Sequence, residues 1–368
     1  MIKSFCVLFA GILILTGCSP APIDQAKVED PTTSKKASSA VPITIAQYGH
    51  IFLYMPLYVA QRKDFFKKHG LDVKLVSTGG DEKTFTAVVT GNAQFGVSDP
   101  TFVAIAREHG QSGKVVAAVV RGVPFWIVAL KKDIGVFTKP EDFEGHRCAA
   151  FTAPSTSYAV MKKILADGKT KKASIVQGAF GTLPALLKSD QVDLALELEP
   201  TVSILVGEGA HVVYSPKDEL GDFAFTGLEV SDKFAAEHPD LIKACVAALK
   251  DAMDYIHQDF DGAVEVAKQE FPEVKPEIVK DALARLRDSG TIPKSPMLPK
   301  SAWDKAISMR RDLGDLDSAG TYEENVDMSY LDMIYLDKPA GTAETSGDKT
   351  RSTDPGSETK STSSPDNQ

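Results

Sequence analysis

Apolar and polar positions alternate in blocks along the chain. Short β-branched runs occur at VPITIAQY (41–48), VKLVST (73–78), QFGVSD (94–99), KVVAAVV (114–120), RCAAFT (147–152), ASIVQ (173–177), LALEL (194–198) and HVVYS (211–215). Each has the length and composition of a buried strand. Between them the spacing predicts helices over Pro56–His69, Asp81–Thr90, Thr101–His109 and Ser155–Ala166. Gly70, Gly91 and Gly110 follow three of these helices, where a left-handed C-cap places glycine. Strand alternating with helix predicts an α/β fold with parallel sheets covered on both faces.

After Ser231 the pattern turns wholly helical. In DLIKACVAALKDAMDYI, Ile242, Cys245, Val246, Leu249, Met253 and Ile256 recur at spacings of three and four, one helical face. Ile278, Ala282, Leu283 and Leu286 do the same in PEIVKDALARL. Two longer apolar strand candidates, FWIVALK (125–131) and DFAFTGLEV (222–230), bracket the middle third. They divide the body into a discontinuous lobe I, residues 41–132 plus 217–337, and a lobe II, residues 133–216, with the two strands as hinges.

The ends differ from this body. Residues 1–17 carry a basic start at Lys3, an apolar run from Phe5 to Leu15 and small residues, the layout of a secretory signal. LTGC, ending at Cys18, resembles the lipobox of bacterial lipoproteins, which implies cleavage before Cys18, its acylation and a lipid anchor in a membrane. Ordinary secretion, with Cys18 an incidental thiol, is the plainer alternative. Residues 18–40 read as a flexible tether, and residues 338–368, almost free of large apolar side chains, as a disordered tail. Of four cysteines, Cys148 and Cys245 remain in the body, each expected as a buried free thiol.

Composition narrows the function classes. With 368 residues, 43% hydrophobic and 25% charged, the chain is an ordinary globular protein, and its net charge of −9 argues against a nucleic-acid partner. No G-x-S-x-G, H-E-x-x-H or Walker loop occurs, and the seven histidines show no ligand spacing, so no catalytic residue, metal or cofactor is expected.

Polar loops after the strands are the candidate site, because ligands of open α/β sheets bind at that edge. QYGH offers Gln47, Tyr48 and His50; STGG offers Thr78 and Gly79; SDPT offers Ser98 and Asp99. Thr152, Ser155, Thr156 and Ser157 follow a strand and open a helix, a donor-rich cradle for an oxyanion or carbonyl. With no His or Lys close by, a cradle is preferred to a nucleophile, and simple helix capping stays open beside it.

MPLYVAQRKDFFKKHGLDVKLVSTGGDEKTFTAVVTGNAQFGVSD resembles the amino-terminal half of periplasmic solute-binding proteins of ABC importers, in the NMT1/THI5-like group that includes nitrate, sulfonate, taurine and thiamine-pyrimidine binders. KPEDFEGHRCA and DLALELEP are similar to that family's second domain, and SDKFAAEHPDLIKACVAAL to its return helices. The resemblance implies a type II two-lobed clamshell with two crossover strands. It also implies a monomer on the extracytoplasmic side of a bacterial membrane that is no enzyme and delivers a small-molecule ligand to a permease and ATPase. Carried over by matching segments, Gly178, Glu197 and Glu199 join the second-lobe candidates, with Arg121 and Phe225 near the hinge. Arg121 and the cradle favour a sulfonate or carboxylate. Asp99, Glu197 and Glu199 favour a hydrogen-bond-donating ring such as an aminopyrimidine, on which Tyr48, Phe151, Phe180 and Phe225 could stack. A sensor, or a biosynthetic clamshell making pyrimidine or menaquinone precursors, is the alternative.

Overall fold

A computed structural model describes residues 40–318 and 320–336. The expected signal, Cys18, the tether up to residue 39 and the tail from 338 lie outside these residues. Ten strands form at the ten apolar runs: β1 Val41–Gln47, β2 Leu71–Ser77, β3 Phe95–Ser98, β4 Gly113–Arg121, β5 Trp126–Ala129, β6 Arg147–Phe151, β7 Ser174–Gly178, β8 Leu194–Glu197, β9 His211–Tyr214 and β10 Ala224–Ser231.

They assemble into two five-stranded sheets of equivalent topology, ordered β2-β1-β3-β10-β4 and β7-β6-β8-β5-β9. Within the first, β1 runs parallel to β2 and β3; within the second, β6 runs parallel to β7 and β8. Neither sheet is wholly parallel, contrary to the expectation from alternation. β10 is antiparallel to both β3 and β4, and β5 antiparallel to both β8 and β9. The reason is connectivity: β5 continues from β4 of the first sheet and β10 from β9 of the second. Each enters its new sheet from the edge at which the parallel strands end, and so must run against them.

This gives the two-lobed clamshell with two crossings. β5 lies inside the second sheet, so the first crossing falls between Arg121 and Trp126, upstream of the expected break at 132/133. The return falls between Tyr214 and Ala224.

Helices cover the sheets. Pro239–Gln258 buries Ile242, Cys245, Val246, Leu249, Met253 and Ile256, the face read from spacing. In Pro276–Asp288 the buried set is Val279, Ala282, Leu283 and Leu286, with Ile278 only half-buried. The predicted Pro56–His69 helix is broken in two, Met55–Arg62 and Phe65–Lys68, because Asp64 turns left-handed with φ 55°. β4 is buried throughout its Val115–Val120 core. Its outer edge is covered by the C-terminal segment, which accepts from Ala118 N at Pro296 O (2.7 Å) and donates from Asp327 N to Val115 O (2.9 Å). Cys148 and Cys245 are free and buried, and burial raises both thiol pKa values.

Candidate functional site

The strand ends of the two sheets face each other, and side chains from both lobes meet there. Asp99 follows β3 in lobe I, and Thr156 opens the Thr156–Asp167 helix after β6 in lobe II. Thr156 Oγ1 donates to Asp99 Oδ2 at 2.5 Å, and both residues are buried. Asp99 is saturated. Its Oδ1 accepts from Thr101 N (2.9 Å) and Thr101 Oγ1 (2.7 Å), while its Oδ2 also takes Arg310 Nη2 at 2.7 Å. Four bonds fill the acceptor sites of one carboxylate. Arg310 is itself buried and spans to Asp315 at 3.1 Å.

Around this contact lie two adjoining cavities. The inner one is walled by Tyr48, Tyr54, Phe125, Phe151, Phe180 and Phe225, with Asp81, Asp99 and the Ser155–Ser157 hydroxyl residues among its polar lining. The outer one, about 450 Å³, is lined by the Gly79–Gly80 turn, Glu82, Lys83 and the Thr152–Ser155 turn of the other lobe. Tyr48, Asp81, Ser155 and Phe180 line both, so they mark the passage between them. Tyr48 and Phe180 meet edge-on at 6.1 Å across the lobes; Phe125 and Phe225 do so at 5.3 Å beside the crossings. The inner space is only about 40 Å³, so the outer cavity is the one with room for a small organic ligand, and the aromatic walls adjoin it.

Burial shapes the charges here. Asp81 is raised to about 7 by desolvation and then by the charge of Asp99. Tyr48 is pushed up to about 12 by burial and by Asp81. Beneath them, burial holds Glu229 well above the usual carboxylate range, and Ser98 Oγ sits 3.0 Å from each of its oxygens.

Comparison with known proteins places this geometry. The family model described as NMT1/THI5 like matches residues 52–263, more than half of the chain. The chain belongs to the NMT1/THI5-like family. YtlA of Bacillus subtilis (strain 168) is 20% identical over 312 residues, 83% of this chain and 93% of its own. The riboflavin-binding protein RibY of Chloroflexus aurantiacus is 25% identical over 274 residues, 72% of this chain and 77% of its own. Among solved structures, the ligand-binding component of an ABC-type import system from Staphylococcus aureus superposes with a TM-score of 0.66 at 15% identity. That match covers 79% of this chain and 98% of the other, and the shared fold is that of periplasmic solute-binding proteins.

In this NMT1/THI5-like protein the residues singled out by sequence divide into two groups. Tyr48, Gly79, Asp99, Thr152, Ser155, Thr156, Ser157 and Phe225 line the cavities. The hydroxyls of Ser155, Thr156 and Ser157 are engaged within the protein. Ser155 Oγ caps its helix by accepting from Tyr158 N (3.2 Å) and donates to Phe151 O (3.2 Å), and Ser157 Oγ accepts from Phe151 N (3.0 Å). Ser155 is engaged by capping, Thr156 by the lobe contact and Ser157 by the end of its own strand.

The second group does not line the cavities. Gln47 turns into lobe I, its Oε1 3.4 Å from the Tyr58 hydroxyl. His50 stacks on Phe271 at 4.7 Å and bonds Glu270 at 3.0 Å, on the surface of lobe I. Thr78 bonds Thr84 Oγ1 (2.6 Å) and Gly80 O (3.1 Å), shaping the glycine turn. Ser98 serves Glu229. Arg121 is held by the carboxylate of Asp222, away from the cavities. Gly178 is a packing glycine, since a Cβ there would sit 2.7 Å from Leu183 Cδ2. Glu199 pairs with Arg285 of lobe I and with Ser203 Oγ (3.1 Å). Glu197 is buried with Oε1 unpartnered, and desolvation raises it to about 8.

Sequence reasoning missed Asp81 and Arg310. The STGGDEK loop offered a signal for Asp81, an acid opening a helix beside a glycine turn. Arg310 had none, for it lies 211 residues from its partner Asp99.

Proposed function

We propose that this protein is a solute-binding component of an ABC importer that captures a small heteroaromatic solute between its lobes and passes it, chemically unchanged, to a permease. The single observation carrying this reading is the cavity of about 450 Å³ lined by both lobes, which adjoins the aromatic walls and the Asp99–Thr156 contact. Ligand contacts to both lobes would select the closed form, and release would reopen it. RibY, the riboflavin-binding relative, supports a ring-shaped ligand. The anion alternative is weakened by Arg121, which is committed to Asp222, and by Arg310, which is committed to Asp99 and Asp315. The engaged hydroxyls favour binding over covalent catalysis.

In this reading lobe I comprises 41 to about 122 and about 220 to 337, lobe II the residues between, and Cys18 carries the lipid that tethers the chain outside the cytoplasm. The test is a thermal-shift screen of riboflavin, aminopyrimidines and taurine. A ring compound at 100 times its dissociation constant should add about 2.7 kcal/mol of stability. Stabilisation by taurine and by no ring compound would refute the ligand class; turnover of a bound ring compound would refute the binding-protein reading.

A further inference from the structure

Beyond the ring walls, the cavities contain one buried acidic side chain whose hydrogen-bonding capacity the protein leaves open; Glu82, which also lines the outer cavity, is exposed to solvent. Asp99, with four donors, has nothing to offer a ligand. Glu199 is occupied by Arg285 and by both the amide and the hydroxyl of Ser203, Glu229 by Ser98, and neither lines the cavities. Glu197, though unpartnered at Oε1, does not line them either. Asp81 differs from all of these. It lines both cavities, as Tyr48 and Phe180 do, yet is only 9% exposed. Among the described residues it accepts one bond from another residue, Asp99 N to Oδ1 at 3.0 Å. Its Oδ2 takes none.

We infer that Asp81 is the specificity-determining acceptor of the site, its Oδ2 receiving a ring or exocyclic N–H of a planar nitrogen heterocycle held in the outer cavity against Tyr48 and Phe180. This rests on the solute-binding reading and names the chemistry that the ligand must bring. A mostly buried carboxylate with a free acceptor favours a ligand that donates to it over an isostere without the donor. The same charge disfavours sulfonates and carboxylates, since the cavity lining holds Asp81, Asp99 and Glu82 against a single lysine, Lys83. The Gly79–Gly80 turn just before Asp81 leaves open space, with no atom within 4 Å of a Cβ built at Gly79, so the acid is reached past bare backbone.

The test is calorimetric titration of the full chain with two matched pairs of probes. Riboflavin and 4-amino-2-methylpyrimidine carry a ring or exocyclic N–H; N3-methylriboflavin and 4-dimethylamino-2-methylpyrimidine lack it. Wild type should bind at least one N–H probe about tenfold or more tighter than its methylated partner. Asp81→Asn keeps an oxygen for Asp99 N and puts an amide NH₂ where Oδ2 was. It should lose about tenfold on the N–H probe and little on the methylated one, which removes the discrimination. The wild-type comparison stands on its own if the variant folds poorly. Equal binding of both members of a pair by wild type, or unchanged discrimination in the variant, overturns the assignment of Asp81 while leaving a ring-binding protein intact. If no ring probe binds wild type, the ligand class and the Asp81 assignment fall together.

Discussion

Thr156 donates its hydroxyl to Asp99 across the line where the two sheets face each other, 57 residues away in sequence. The bond joins lobe II to a carboxylate that lobe I already holds with Thr101 and Arg310, so lobe I prepares the acceptor and closure supplies the last donor. Thr156→Val keeps the shape of the side chain and removes that donor. A hydrogen bond to a charged group contributes about 1.5–3 kcal/mol, so the closed population should fall by about tenfold or more. Small-angle scattering should report a larger radius for the variant, with ligand affinity weakened in proportion. An unchanged radius and affinity would show that this bond does not govern closure.

Arg310 is 1% exposed and neutralises Asp99 from within lobe I. Removing one partner of a buried pair leaves the other charge stranded, at a cost of about 3–5 kcal/mol. Arg310→Met should therefore lower the urea midpoint sharply. Adding Asp99→Asn should recover part of the loss, since the stranded charge is then gone. Additive losses in the double variant would show that the two side chains act independently.

Glu197 gives a pH signature. Its folded pKa of about 8 lies above the ordinary value, so the fold favours the protonated acid. Its contribution is thus complete at acid pH and is lost as pH rises through 8. Glu197→Gln copies the protonated form. The variant should melt close to wild type at pH 5 and progressively above it toward pH 9. A gap that is constant with pH would assign the shift to another group.

Phe180 is 47% exposed yet lines both cavities and touches the Tyr48 ring. Its truncation should barely alter folding, because little surface is buried in the ligand-free protein, but should weaken a ring ligand by about tenfold through lost stacking. Thermal melting and titration on Phe180→Ala separate the two effects. A large loss of stability with unchanged affinity would make Phe180 a core residue instead.

The sites differ in how far sequence foretold them. Tyr48, Asp99 and the FTAPSTS hydroxyls follow strands, and that position alone brought them to the facing edges. Gln47 and Ser98 end their strands too, yet point into lobe I, because a one-residue difference in pleat sends a side chain to the opposite face. Arg121 had the charge for an anion site, but Asp222, 101 residues on, neutralises it. Asp81 opens the helix that follows the glycine turn, and an acid at a helix start is ordinary capping chemistry, so its place on the cavity wall left no distinguishing mark in the sequence.

Sequence by itself determined the ten strands, the buried face of the Pro239–Gln258 helix and the glycine-punctuated helix ends, all of which depend on local periodicity and backbone preference. The tertiary structure alone decided that β5 and β10 run against their neighbours, which carboxylates are satisfied and which are left open, and that Arg310 lies under Asp99. Those outcomes depend on which distant groups meet in a low-dielectric interior, and local pattern carries no record of partners a hundred or more residues away.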